Sequence, residues 1–166
     1  MKFRVEHTFR DITLEEYEKL YFDETFGIAL CKAVKLARTL DKRELKDGRL
    51  VRIVRVGPDR DIPPTVAKIL GTSRIEYTEH VDYKQGSFHG TWKTVSSIFT
   101  EKVDAHGTFG FADEDDGVLR VLEGEVTVKI FGIGGVIERF VVADIERSYN
   151  DAAQFTQKWI DSDGKP

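Results

Sequence analysis

Cysteine occurs once, as Cys31, which excludes an internal disulfide framework and a cysteine-built zinc site. Long apolar runs are missing too. No stretch approaches the roughly 20 residues that span a bilayer, so no integral membrane association is expected. The opening residues Met1-Lys2-Phe3-Arg4-Val5-Glu6-His7 carry no apolar run after the basic residue. No signal peptide is expected from them, and a reducing cytoplasm is the expected location. Excess positive charge is absent. The formal net charge is -4, so the chain gains nothing from counterion release and nucleic acid is not an expected partner. The histidines His7, His80, His89 and His106 lack ligand spacing such as His-x-x-x-His. No metal and no cofactor are expected. There is no Gly-x-Ser-x-Gly and no Ser/His/Asp arrangement.

Proline is scarce, with four in the chain, and its placement is informative. From Gly134 to about Ile160 there is none, and after Gly135 there is no glycine. About 27 residues at ~1.5 Å each make a helix of roughly 40 Å. Ile137, Phe140, Val141, Ala152, Phe155 and Trp159 recur on it at helical spacing, with Val142, Ile145 and Tyr149 on a neighbouring stripe. A helix apolar over so broad an arc must lie on a large surface. Phe140 and Phe155 are expected to face a sheet.

What remains reads as strands. Phe3, Val5, His7 and Phe9 alternate with Lys2, Arg4, Glu6, Thr8 and Arg10, the pattern of a half-buried strand. Thr13-Leu14-Glu15-Glu16 is a capping-box start, and Asp23 caps a second short helix carrying Phe26, Ala29, Leu30, Ala33 and Val34. Strands are expected near 37–45, 49–57, 73–84, 88–99, 102–111 and 118–130. Asp47-Gly48, Gln85-Gly86-Ser87 and the acidic run Asp113 to Gly117 separate some of them. Pro63-Pro64 opens one short helical turn, Thr65 to Leu70, closed by Gly71. Short connections favour antiparallel pairing. The expectation is therefore one α+β domain over 1–166: a curved seven-stranded antiparallel sheet around a long C-terminal helix, with two short helices after the first strand.

This order resembles the helix-grip fold of the START-like superfamily, which includes birch-pollen-allergen-like proteins and polyketide cyclases. Within it the chain is most similar to a bacterial family known as domain of unknown function 2505. Four segments carry the resemblance: Phe3 to Phe9, Ile62 to Gly71, Glu123 to Ile130 running into Gly132 to Glu138, and Phe155-Thr156-Gln157-Lys158-Trp159. It implies a pocket for a lipid, hormone, polyketide or other apolar ligand, and it implies no shared catalytic residues.

The leading expectation is thus a module that binds a hydrophobic small molecule between sheet and helix. The expected lining is Ile75, Tyr77 and Glu79 from one strand face, Trp92, Phe109 and Phe111 from others, and Ile137, Val141 and Ile145 from the helix. His7 and Glu79 share faces with apolar residues, so each needs a partner or a wet cavity, and together they could orient a ligand's polar end. Thr94 is a further polar candidate. One rival is a cyclase or dehydratase using His7, Glu79 or Tyr77 as acid and base. The other is a sealed domain with no ligand.

Other features read as structure. Gly132-Ile133-Gly134-Gly135-Val136-Ile137 is near a dinucleotide fingerprint, but Ile137 replaces the third glycine and no strand is expected after the helix. Arg49 and Arg55 share a strand face and Arg52 takes the other. With Arg60 and Arg74 they read as a solvated face balancing Asp59, Asp61 and Glu76. Cys31 reads as packing.

Overall fold

The computed structural model describes residues 1–58, 62 and 64–164. The elements run β1 (Lys2–Arg10), α1 (Leu14–Tyr21), α2 (Glu24–Ala33), β2 (Leu36–Lys46), β3 (Arg49–Pro58), α3 (Pro64–Leu70), β4 (Tyr77–Lys84), β5 (His89–Ser96), β6 (Val103–Glu114), β7 (Gly117–Val128) and α4 (Gly134–Asp161). The strands form one antiparallel sheet in the order β1-β7-β6-β5-β4-β3-β2. This is the expected α+β helix-grip: a curved seven-stranded sheet, a long C-terminal helix and two short helices after the first strand.

Local chemistry sets the helix starts. The Thr13 hydroxyl accepts from the Glu16 amide while the Glu16 carboxylate accepts from the Thr13 amide, a closed capping box for α1. Asp23 caps α2 by accepting from the Phe26 amide at 2.7 Å. α4 has no side-chain cap. Its start is held instead by Glu138, whose Oε1 accepts from the Val128 amide at 2.8 Å. The preceding turn needs glycine twice. Gly132 has φ +78°, and a Cβ on Gly134 would sit 2.3 Å from the Val128 carbonyl oxygen. The glycine-rich segment is therefore a tight re-entry into the sheet, and no strand follows α4 among the described residues.

Three expectations change. β4 begins at Tyr77, so Ser73 to Glu76, Ile75 included, lie in the connection from α3. Phe155 does not face the sheet. Its ring lies 6.3 Å from Phe26 of α2 and 5.9 Å from Trp159, because α2 crosses the C-terminal half of α4. Arg52 points inward and is 9% exposed, whereas Arg49 and Arg55 lie outside, paired with Asp82 and Asp41. Asp59, Arg60, Asp61 and Pro63 lie outside the described residues.

Strand register turns the concave face into a grid. One row reads Val5, Leu122, Phe109, Gly90, Tyr83, Leu50 across β1-β7-β6-β5-β4-β3. Moving along the strands from that row, His7, Arg120 and Phe111 form the next row on one side. On the other side come Phe3, Gly124, Gly107, Trp92, Val81, Arg52, then Ala105, Thr94, Glu79, Val54, then Val103 and, further across, Ser96 and Tyr77. The two ends of this grid have opposite fates. α1 and the residue after it deliver Tyr17, Tyr21 and Phe22 onto Phe9, Phe109, Phe111 and Tyr83, with ring centroids between 4.5 and 6.3 Å apart. That end is solid. The other end is covered by the N-terminal half of α4 and is not filled.

Candidate functional site

The unfilled end holds a cavity of about 480 Å³. The sheet contributes Phe3, Trp92, Thr94, Ala105 and Leu122 as well as Tyr77 and Glu79. α4 contributes Phe140, Val141, Ile145 and Tyr149, and the connection before β4 closes one side with Ile62, Pro64 and Ile75. Most of this wall is carbon. The polar groups gather in two places. Tyr77, Glu79, Thr94 and Ser96 form a ladder on β4 and β5, where Glu79 stands opposite Thr94 and Tyr77 opposite Ser96. Asp144, Arg147 and Ser148 lie on α4.

Trp92 is the floor between the solid and the empty halves. A Cβ on Gly124 would come within 2.3 Å of its Cζ2 and 2.9 Å of Phe3 Cζ, so the glycine is the notch in which the indole lies. The indole Nε1–H donates to the Glu123 carbonyl at 3.2 Å, which satisfies a buried donor and locks the ring.

Six of the ten residues expected from sequence line the cavity: Ile75, Tyr77, Glu79, Trp92, Val141 and Ile145. Four do not. Phe109 and Phe111 belong to the solid aromatic end, under Tyr21 and Tyr17. Ile137 is packed in the core, 5% exposed, one turn before the cavity begins on α4. His7 lies on the same face in a different row. Its Nε2 is 2.8 Å from Asn150 Oδ1 and its Nδ1 2.9 Å from Arg120 Nη2. Burial pushes its pKa below the usual imidazole value, and the Arg120 charge adds to this, while the Asn150 hydrogen bond opposes it.

Sequence reasoning missed two buried cations. Arg120 is 4% exposed, its guanidinium carbon 5.1 Å from the ring centroids of both Phe9 and Tyr149. Arg52 lies 5.5 Å from the Phe22 centroid, with Nη2 3.6 Å from Glu79 Oε1. The signal was available for both. Arg52 alternates with Leu50 and Val54, and Arg120 with Val118 and Leu122, which are apolar faces. Tyr149 and Tyr21 are half-buried, and desolvation of their hydroxyls first of all raises the phenol pKa, Tyr21 to about 12. Cys31 is half-buried and burial raises its thiol, which suits packing. Among the described residues no three His, Cys, Asp or Glu side chains gather as a metal site, and no helix is long and apolar enough to cross a membrane.

The comparisons with known proteins agree with this geometry at the level of fold. The structure of TTHA0849 from Thermus thermophilus is similar with a TM-score of 0.69 at 13% identity, over 99% of this chain and 100% of that one. The Zhui aromatase/cyclase from Streptomyces sp. R1128 is similar with a TM-score of 0.60 at 13% identity, over 96% of each chain. Dicamba monooxygenase bound to dicamba is similar with a TM-score of 0.53 at 10% identity, over 99% of this chain and 52% of that one. No curated protein is similar in sequence. The chain belongs to the family described as protein of unknown function DUF2505, which matches residues 4–160.

Proposed function

We propose that this member of the DUF2505 family binds a hydrophobic small molecule in the cavity between α4 and the sheet. The observation that carries the reading is the cavity itself, about 480 Å³ with carbon walls and a polar ladder at Tyr77, Glu79, Thr94 and Ser96. Small-molecule sites have this size and this mixture of apolar wall and few convergent polar groups. A domain whose core were merely sealed would bring side chains together here as it does at the Phe109 end. The fold likeness to an aromatase/cyclase and to a monooxygenase bound to dicamba supports a ligand-handling role at the level of fold alone. The cyclase or dehydratase alternative draws on Tyr77 and Glu79, since His7 is occupied by Asn150 and Arg120 outside the cavity.

A thermal-shift screen with sterols, polyaromatic compounds and fatty acids tests the reading, followed by mass spectrometry of small molecules extracted from the purified protein. A ligand at a hundredfold excess over its Kd stabilises the native state by about 2.7 kcal/mol. Ile145→Trp, which fills the cavity from α4, removes that shift. Absence of any shift across the screen, with no extracted compound, overturns the reading.

A further inference from the structure

Among the described residues, each carboxylate of the cavity wall has a guanidinium partner. Among the described residues, the acidic and basic side chains on that wall are Glu79, Asp144 and Arg147. Asp144 accepts a hydrogen bond from Arg147 on the same face of α4. Glu79 is offset from behind by Arg52, across the diagonal of β3 and β4. Arg52 is 9% exposed, and Glu79 is its one carboxylate partner among the described residues. The Arg52–Glu79 separation of 3.6 Å is an ion-pair distance but too long for a hydrogen bond, so Glu79 keeps lone pairs that can accept from a ligand.

Resting on the binding reading above, we propose that the cavity selects a neutral aromatic ligand that donates a hydroxyl hydrogen bond to Glu79, and that it rejects carboxylates. A carboxylate brought against Glu79 would place a second, uncompensated negative charge in a wall of carbon, which is costly without a partner. A hydroxyl adds no charge and matches an acceptor-only group. The rings of Phe3, Trp92, Phe140 and Tyr149 supply flat surfaces for the rest of the molecule.

Arg120 is a buried cation near the cavity, and its position keeps it from a ligand there. Its guanidinium lies behind the Tyr149 ring, between that ring and Phe9, and donates to His7. The two half-buried phenols near the cavity feel the same carboxylate. Burial comes first at Tyr149, and after it Tyr21 and the Glu79 carboxylate raise the pKa by more than Arg120 lowers it. At Tyr21 the largest influence after burial is Glu79, which raises the pKa, with Arg52 and Arg120 opposing it. The Glu79 carboxylate opposes a second negative charge beside it, whether on a phenol of the wall or on a ligand.

The test is calorimetric titration with 2-naphthol, 2-methoxynaphthalene and 2-naphthoate at about pH 7.5, where 2-naphthol is neutral and 2-naphthoate is ionised. Naphthol binds most tightly. The methyl ether, which cannot donate, binds about tenfold more weakly, as expected for one net hydrogen bond. Naphthoate binds more weakly than either. Glu79→Gln keeps the shape and an acceptor but frees Arg52, so in this variant naphthoate overtakes naphthol. Wild-type binding of naphthoate as tightly as naphthol overturns the selectivity and leaves the cavity reading standing. Binding of none of the three takes both down. The wild-type order decides the matter even if the variant does not fold.

Discussion

His7 and Arg120 stand directly opposite one another across the β1–β7 pairing, and Arg120 Nη2 donates to His7 Nδ1 at 2.9 Å. A guanidinium can only donate, so Nδ1 is the acceptor and the imidazole proton is on Nε2, aimed at Asn150 Oδ1 2.8 Å away. The contact requires a neutral His7.

A pH dependence follows with a definite sign. The folded-state pKa of His7 is lowered from its ordinary value near 6.5, chiefly by burial, so the unfolded chain binds the proton more readily. Stability from this site is complete above about pH 6.5 and is lost as pH falls below it. Between pH 7.5 and 5.5 the wild type should lose more thermal stability than His7→Gln. Equal losses in the two proteins would remove His7 from the account.

Arg120 is worth more as packing than as charge. Arg120→Ala withdraws a cation from between two rings and leaves a void, and should cost ~2–4 kcal/mol in urea unfolding. Arg120→Met refills the volume and leaves His7 Nδ1 and the Tyr17 hydroxyl short of a donor, for a cost of ~1–2 kcal/mol. An Arg120→Met loss as large as that of Arg120→Ala would show that the charge itself carries the stability.

The solid and empty ends of the concave face should respond differently to truncation. Phe111 is 6% exposed among Tyr17, Tyr21 and Phe109, and Phe111→Ala should cost ~3–5 kcal/mol. Phe140 is half-buried with one side on the cavity, so Phe140→Ala forfeits fewer contacts and should cost ~1–2 kcal/mol. The order of the two losses in urea unfolding is the check.

Two small residues in neighbouring rows should also diverge. Gly124→Ala drives a methyl into Trp92 and the His106 carbonyl, at 2.3 and 2.9 Å, and should cost ~1–3 kcal/mol. Ala105→Leu points into the cavity and should change stability by under ~1 kcal/mol while abolishing ligand-induced shifts. A large loss for Ala105→Leu in thermal unfolding would mean that the space is not there.

The sequence by itself determined the elements and their faces. Alternation in Phe3, Val5, His7 and Phe9 marks β1, the Thr13–Glu16 pair marks the start of α1, and the proline-free stretch after Gly135 marks α4. These signals are local, because backbone sterics, capping and side-chain periodicity act within a few residues. Only the tertiary structure decided which part of the concave face stays empty. Alternation states that Phe109 and Glu79 both point inward, but not that Tyr21 descends on the first while the second faces open space. That outcome depends on where α1, α2 and α4 land, and so on strand register summed across seven strands. The same holds for Arg52 and Arg120. Their apolar neighbours at i±2 were compatible with inner faces, but only the rings of Phe22, Phe9 and Tyr149, brought from distant elements, made it tolerable for a guanidinium to be buried there.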